Sequence, residues 1–289
     1  MRDLNEDNVT DAVLARLGEA ADPRFREVMA ALVRHLHAFV REVELTPEEW
    51  ERGIRFLTET GKFCVGDRQE YILLSDVLGV SILVDAIANR KPAGATESSV
   101  LGPFWRDGAP ELPAGASIAL QAVGEPAVVT GRVLDSVGDP VAGAILDVWQ
   151  TNGNGLYETQ DPDQPDMNLR GRFRTDPEGR FMFRTVQPVT YPIPFDGPVG
   201  AMLRTMERHP YRPAHIHFIV SADGHAPLVT QVFVEGDEYL DSDVVFGVKD
   251  SLVGTFRRID DPAVADRYGI SPPFALLEYD FTLSGGAGS

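Results

Sequence analysis

Residues 127–151, AVVTGRVLDSVGDPVAGAILDVWQT, hold two short apolar runs separated by a Gly138-Asp139-Pro140 turn, which reads as two β-strands. The same grammar continues toward the C-terminus. RGRFRTDPEGRFMFRTV (170–186) reads as a hairpin around Asp176-Pro177-Glu178-Gly179, and HIHFIVSADGHAPLVTQVFVEGD (215–237) as another around Ala222-Asp223-Gly224-His225. FALLEYDFTL (274–283) supplies a last strand. Several strands with regular turn signals and few helices point to a β-sandwich. Toward the N-terminus the character changes near residue 105. PRFREVMAALVRHLHAFVREVE (23–44) spaces Phe25, Val28, Met29, Leu32, Leu36, Phe39, Val40 and Val43 by threes and fours, a helical period. TPEEWERGIRFL (46–57) opens with a capping signature: Thr46 as cap, Pro47 in the first turn, Glu49 three residues after the cap. DRQEYILLSDVLGVSILVDAIANR (67–90) reads as a third, more apolar helix, and KPAGATESSVLGPFW (91–105) as the linker leaving it. The fold expected is α+β: a helical N-terminal domain with linker over 1–105, then a β-sandwich over 106–289. SGGAGS (284–289) reads as a frayed tail.

The chain has 289 residues, 43% hydrophobic and 24% charged, ordinary for a globular protein. Its net charge of -18 argues against nucleic acid, whose phosphates need a basic footprint, and against anionic membrane surfaces. It is compatible with a neutral small molecule. The single cysteine, Cys64, forbids an intrachain disulfide, and the polar start MRDLNEDNVT carries no apolar signal segment, so a cytoplasmic location is expected. No stretch of about 18 apolar residues predicts a membrane span. The helical part carries more apolar face than three helices bury between them; it either packs on the sandwich or forms a dimer seam.

The densest chemical signal is Arg212-Pro213-Ala214-His215-Ile216-His217-Phe218. Residues i and i+2 of a strand point to one face, so His215 and His217 present two imidazoles side by side, suited to one metal ion. Few partners can complete such a site. Cys64 is alone, and no carboxylate follows His217 in Phe218-Ile219-Val220-Ser221 as a cupin-type site would want. His209 and His225 sit in loop-like segments, and His35 and His37 share no helix face, so a closed zinc site of Cys and His is not supported. Tyrosine remains: Tyr157 follows a Gly-rich loop and Tyr191 lies in a Pro-rich one. Either could equally be a packed or surface tyrosine.

Together, TESSVLGPFW, LDVWQTNGNGLYE, VTYPIPFDGPVG, RPAHIHFIVSADGH and VTQVFVEGD resemble, in order and over almost the whole chain, the intradiol ring-cleaving dioxygenases, that is, the catechol and hydroxyquinol 1,2-dioxygenases with an N-terminal helical domain. The resemblance implies one Fe(III) per subunit held by Tyr157, Tyr191, His215 and His217, with Tyr191 and His217 axial and Tyr157 and His215 equatorial. Phenolates are hard anionic donors that favour such an ion. It further implies that Arg212 stabilises negative charge on the substrate, that Gln231 stands beside the bound diol, and that Tyr191 leaves as a phenol carrying a substrate proton. Family members of this type are homodimers joined through their helical domains, and some carry a phospholipid there.

The resemblance also implies a ring pocket of Leu73, Asp76, Val100, Leu101, Gly102, Pro103, Phe104, Ile193 and Pro194. LLSDVLGVSILVDAI and Tyr191-Pro192-Ile193-Pro194 look most like the hydroxyquinol type. Asp76 would accept a hydrogen bond from a third ring hydroxyl, and a site built for that hydroxyl rejects the analogue lacking it. Leu101 departs from the aromatic expected there. The expected reaction is cleavage of hydroxyquinol (benzene-1,2,4-triol) with O2 to 3-hydroxy-cis,cis-muconate or its tautomer maleylacetate. The alternatives are cleavage of catechol or chlorocatechol to cis,cis-muconates, a β-sandwich binding module without turnover, and a zinc hydrolase.

Overall fold

The computed structural model describes residues 3–18, 22–66, 68–90 and 94–286. The helices are α1 (Val9–Leu14), α2 (Pro23–Glu42), α3 (Pro47–Lys62), α4 (Glu70–Val77), α5 (Val80–Ala88), α6 (Pro198–Thr205) and α7 (Pro262–Tyr268). The strands are β1 (Pro126–Leu134), β2 (Ile145–Trp149), β3 (Arg170–Arg174), β4 (Arg180–Val186), β5 (Tyr191–Pro192), β6 (Tyr211–Arg212), β7 (His215–Ser221), β8 (Leu228–Val234), β9 (Val253–Gly254), β10 (Phe256–Ile259), β11 (Phe274–Glu278) and β12 (Phe281–Thr282). Helices therefore come first and a β-sandwich follows, the expected α+β order. Contacts divide the chain into two compact units between Glu59 and Thr60.

In the first unit, the Asp22 side chain accepts the amide of Arg24 and Pro23 opens α2. The capping box read at α3 is present: the Thr46 amide donates to Glu49 Oε2 at 3.0 Å and the Glu49 amide to Thr46 Oγ1 at 3.3 Å. The apolar stripe of α2 stays exposed, with Phe25, Leu32, Leu36 and Phe39 all in that class.

In the second unit, the single helix expected over 67–90 is two helices. Gly79 takes φ 72°, a left-handed conformation that only glycine adopts cheaply, and α5 departs from α4 at 77°. Residues 67 and 91–93, at the ends of that helix and its linker, lie outside those described. Among the described residues no single helix is long and apolar enough to cross a membrane.

One sheet runs β10-β11-β1-β12 with β4 also on β1; the other runs β3-β2-β7-β8-β9; β5 and β6 form a separate pair. The hairpin expected over 170–186 is not one. β3 pairs with β2 and β4 with β1, so the Asp176–Gly179 turn carries the chain from one sheet to the other. Residues 215–237 do form the expected hairpin, with His215 opposite Phe233 and His217 opposite Gln231. The last strand is split at Tyr279 and Asp280 into β11 and β12, both parallel to β1. Residues 284–286 are not frayed: the Ser284 carbonyl accepts from the Ala226 amide at 3.0 Å and the Gly286 amide donates to Gly224 at 2.9 Å. Residues 287–289 lie outside those described.

The core lies between the sheets. Val129, Val133, Phe181, Phe183 and Phe281 come from one, and Leu146, Val148, Phe173, Ile216, Phe218, Val220 and Val232 from the other. The strand period then decides where the chemistry goes. With Ile216, Phe218 and Val220 turned into the core, His215 and His217 point out of the opposite face of β7.

Candidate active site

Four polar atoms converge on that opposite face. The Tyr157 and Tyr191 hydroxyls are 3.4 Å apart, Tyr191 Oη is 3.5 Å from His215 Nε2, and the two histidine Nε2 atoms are 3.1 Å apart. All four side chains are buried. Each is placed by its neighbours. Trp149, opposite His217 in the ladder, stacks on its ring at 4.7 Å and 9°. Phe104 stacks on Tyr157 at 4.3 Å, and the Tyr157 amide donates to Gln160 Oε1 at 3.1 Å. Tyr191 lies opposite Arg212 in the β5–β6 pair.

The electrostatics favour ligation. His215 Nδ1 faces the Pro213 carbonyl at 2.7 Å, which fixes the proton there and leaves Nε2 as a lone pair. Burial, reinforced by Arg212, pushes His215 down to about 3, and burial with His215 beside it pushes His217 well below its ordinary value. His215 thus turns the lone pair of its Nε2 toward the neighbouring His217 ring, an arrangement that suits a cation placed between them. Burial raises the hydroxyl pKa of both Tyr157 and Tyr191, so their ionisation needs a strong positive charge at the oxygens. Donor separations of 3.1–3.5 Å suit ligands around one ion at bond lengths of about 2.0–2.2 Å. Among the described residues no group of three or more His, Cys, Asp or Glu is arranged to hold a metal, so a metal here has to draw on the tyrosines.

Beside the cluster lies a cavity lined by Leu73, Asp76, Val100, Gly102, Pro103, Phe104, Tyr191, Ile193, Pro194, Arg212, His217 and Val245. Every ring-pocket residue expected from the sequence is there except Leu101, which is exposed. Asp76 is 3% exposed, and burial raises its pKa while Ser81 and Arg212 pull it back. Arg212 is as deeply buried, its NH1 3.0 Å from His215 Nε2 and its NH2 donating to Gln231 Oε1 at 2.9 Å. Gln231 in turn donates to the Val100 carbonyl at 2.6 Å.

Sequence reasoning missed the residues that brace these. Asp243 grips Arg212 through both carboxylate oxygens, at 3.0 and 2.9 Å, while accepting the Val245 and Gly247 amides. Burial alone would raise its pKa, but the Arg212 charge outweighs that and lowers it. Asp237 accepts from the Ala214 amide at 2.9 Å and from the Thr190 hydroxyl, tying together the neighbours of His215 and Tyr191. Glu158, next to Tyr157, takes Arg170 at 2.6 and 2.9 Å in a buried pair. These acids sit in loops or short turns with no periodic pattern. The only hint was a carboxylate directly beside a candidate residue, as at Glu158.

The chain matches the family model described as Dioxygenase over residues 104–285 and that described as Catechol dioxygenase N terminus over residues 22–96. It is 53% identical over 281 residues to a hydroxyquinol 1,2-dioxygenase of Rhizobium sp., covering 96% of this chain and 95% of that one. It is 50% identical to a 6-chlorohydroxyquinol 1,2-dioxygenase of Cupriavidus pinatubonensis, covering 98% and 99%. The crystal structure of hydroxyquinol 1,2-dioxygenase from Pseudomonas putida superposes with a TM-score of 0.90 at 51% identity, covering 97% of this chain and 99% of that one. Helices followed by a sandwich, two tyrosines and two histidines closing on one point, and these matches over nearly the whole length agree: the chain belongs to the intradiol ring-cleavage dioxygenases, a family that works with non-haem iron.

Proposed function

We propose that this chain is an iron-dependent hydroxyquinol 1,2-dioxygenase, which opens benzene-1,2,4-triol between its adjacent hydroxyls with O2 to give 3-hydroxy-cis,cis-muconate, the tautomer of maleylacetate. Both oxygen atoms of O2 end in the product. The observation that carries the substrate choice is Asp76, a carboxylate buried in an otherwise largely apolar cavity next to the four donors. The names of its relatives support the same choice.

In this reading Tyr157, Tyr191, His215 and His217 hold one Fe(III) per subunit. When bound, the ion supplies a Lewis-acidic centre at which the diol and O2 react. The chain's own residues do the rest. Tyr191 Oη, a phenolate while it holds the ion, would take one of the two diol protons and become a phenol, and the other proton would pass to solvent. The Arg212 guanidinium, positive at any working pH, stabilises negative charge gathering on the substrate. Gln231 keeps Arg212 aimed by accepting from its NH2. Leu73, Val100, Ile193 and Pro194 hold the ring and exclude water. Asp76 accepts the hydrogen bond of the third hydroxyl.

Residues 1–105 act as the helical dimerisation part and also lend Leu73, Asp76, Val100 and Phe104 to the ring pocket, while 106–289 act as the sandwich that carries the four iron ligands. Two copies join through exposed apolar helix faces, which also suit the acyl chains of a phospholipid. The protein works in the cytoplasm. The test is oxygen uptake by purified, iron-loaded protein with hydroxyquinol and with catechol at matched concentrations, autoxidation subtracted. Faster uptake with hydroxyquinol is expected. Faster uptake with catechol overturns the substrate choice and leaves the iron site standing. A colourless protein without uptake overturns the whole reading, because tyrosinate–Fe(III) charge transfer makes such a site red.

A further inference from the structure

Glu70, the first residue of α4, is fully buried, and no step above uses it. Its Oε2 accepts from Arg68 Nε and NH2 at 3.1 and 2.9 Å, and its Oε1 accepts from the Val199 amide at 3.2 Å. Arg68 reaches on to Asp196, donating from NH1 and NH2 at 3.0 and 2.9 Å. One charge cluster therefore ties the start of α4 to the segment 194–199 that leads into α6. These are two facing walls of the inner cavity. α4 contributes Leu73 and Asp76; the chain just before Asp196 contributes Ile193 and Pro194.

The cluster stands at a throat. Outside the inner cavity lies a cleft of about 880 Å³ whose lining includes Arg68, Glu70 and Asp196, and which shares Leu73, Phe104 and Pro194 with that cavity. The cluster also has no slack. A Cβ added to Gly197 would lie 2.3 Å from Glu70 Oε1 and 2.8 Å from Arg68 NH2. A buried carboxylate is costly unless paired and fully hydrogen-bonded, and removing its partner leaves an uncompensated charge. Losing the pairing at Glu70, the buried member of the cluster, therefore releases the tie between the two walls.

We propose that Glu70 is a positioning residue which, with Arg68, fixes the aperture between α4 and the 194–199 segment, and so sets how large a ring substituent the enzyme admits. The inference rests on the reading of the inner cavity as the diol site. It implies that the size limit on neutral diols is held by charge pairs outside the cavity as well as by the side chains lining it.

The experiment compares catechol with 4-tert-butylcatechol on the iron-loaded full chain, in wild type, Glu70→Gln and Gly197→Ala. The first variant removes the charge that holds Arg68; the second wedges the walls with every charge retained. Two readouts are taken: kcat/KM for each diol, and Kd from the shift of the visible band on diol binding. Both variants are expected to raise the preference for the bulky diol relative to catechol by about tenfold, the order of one or two methylenes' worth of pocket discrimination. The ratio is immune to a general loss of activity, which moves both substrates alike. If one variant fails to fold, the other decides. An unchanged ratio in a folded variant overturns the aperture. A wild type that turns over neither these two diols nor hydroxyquinol overturns the functional reading instead, whereas one that turns over hydroxyquinol alone leaves it standing; in both cases the Kd ratio still judges the aperture.

Discussion

A carboxylate 3% exposed in this cavity is costly to keep unless it is paired, so the proposed substrate choice is tested first at Asp76. Asp76→Ala should lower kcat/KM for hydroxyquinol relative to catechol by about 1–3 kcal/mol, the cost of leaving one partner of a buried hydrogen bond unsatisfied. Steady-state rates on both diols decide it; an equal loss on both would make Asp76 a fold residue only. Tyr157→Phe removes a donor from the cluster while keeping the ring stacked on Phe104. It should bleach most of the red absorption and cost more activity than the about 10–100-fold that losing an outer partner of a metal ligand costs. Visible spectra of protein loaded with iron check this, and a variant that stays fully red removes Tyr157 from the site. Asp243→Asn strands the buried guanidinium of Arg212. Breaking such a pair costs about 3–5 kcal/mol, to be read as a fall in Tm alongside a fall in kcat/KM. His215 and His217 were legible as a pair because a strand's period of two fixes their common face. Asp243 was not, because it lies in a loop and reaches Arg212 across 31 positions, a distance no local pattern encodes.

The element scale shows why local reading fails where it does. Period and turn residues located β3 and β4 but not their partners, since a turn such as Asp176–Gly179 serves equally for a hairpin and for a step between sheets. Long-range packing chose the step, placing Phe173 and Phe183 face to face across the core at 5.1 Å. Residues 67–90 have helical propensity throughout, yet Gly79 ends one helix and starts the next, and the bend leaves Asp76 on a short helix beside the cavity. A central glycine also governs β1. That strand carries β4 on one side and both β11 and β12 on the other, and Gly131 sits where the neighbouring chain is interrupted. A Cβ there would fall 1.8 Å from the Tyr279 carbonyl oxygen, a backbone atom that no rotamer change can move. Gly131→Ala should therefore destabilise at or beyond the upper end of the about 1–3 kcal/mol usual for overpacking. Gly138→Ala, by comparison, meets nothing within 4 Å and carries only the strain of its positive φ. Thermal melts of the two variants test the contrast; a larger loss at Gly138 would mean that β1 and the β11–β12 junction can part without cost.

At the scale of the whole molecule, a net charge of -18 and a long apolar stripe pull in opposite directions. Phe25, Leu32, Leu36 and Phe39 are exposed along α2 in the first unit, and Val80, Leu83, Val84 and Ile87 along α5 in the second, so each helix leaves a run of large apolar side chains uncovered. If these faces join two copies, the attraction is hydrophobic and short-ranged, while the repulsion between two strongly negative chains is long-ranged and screened by salt. Association should then tighten as salt rises from about 0.05 to 0.5 M, because the Debye length shrinks while apolar burial is undiminished. Leu36→Glu should weaken it sharply by placing an unpaired carboxylate in the seam, with the iron site's colour retained. Sedimentation over a range of protein and salt concentrations separates the cases. Dimers that tighten with salt and fall apart with Leu36→Glu support the apolar seam. Dimers that loosen with salt would be held by ion pairs instead, and a wild type that stays monomeric throughout would remove the two-copy reading while leaving the active-site chemistry, contained in a single chain, untouched.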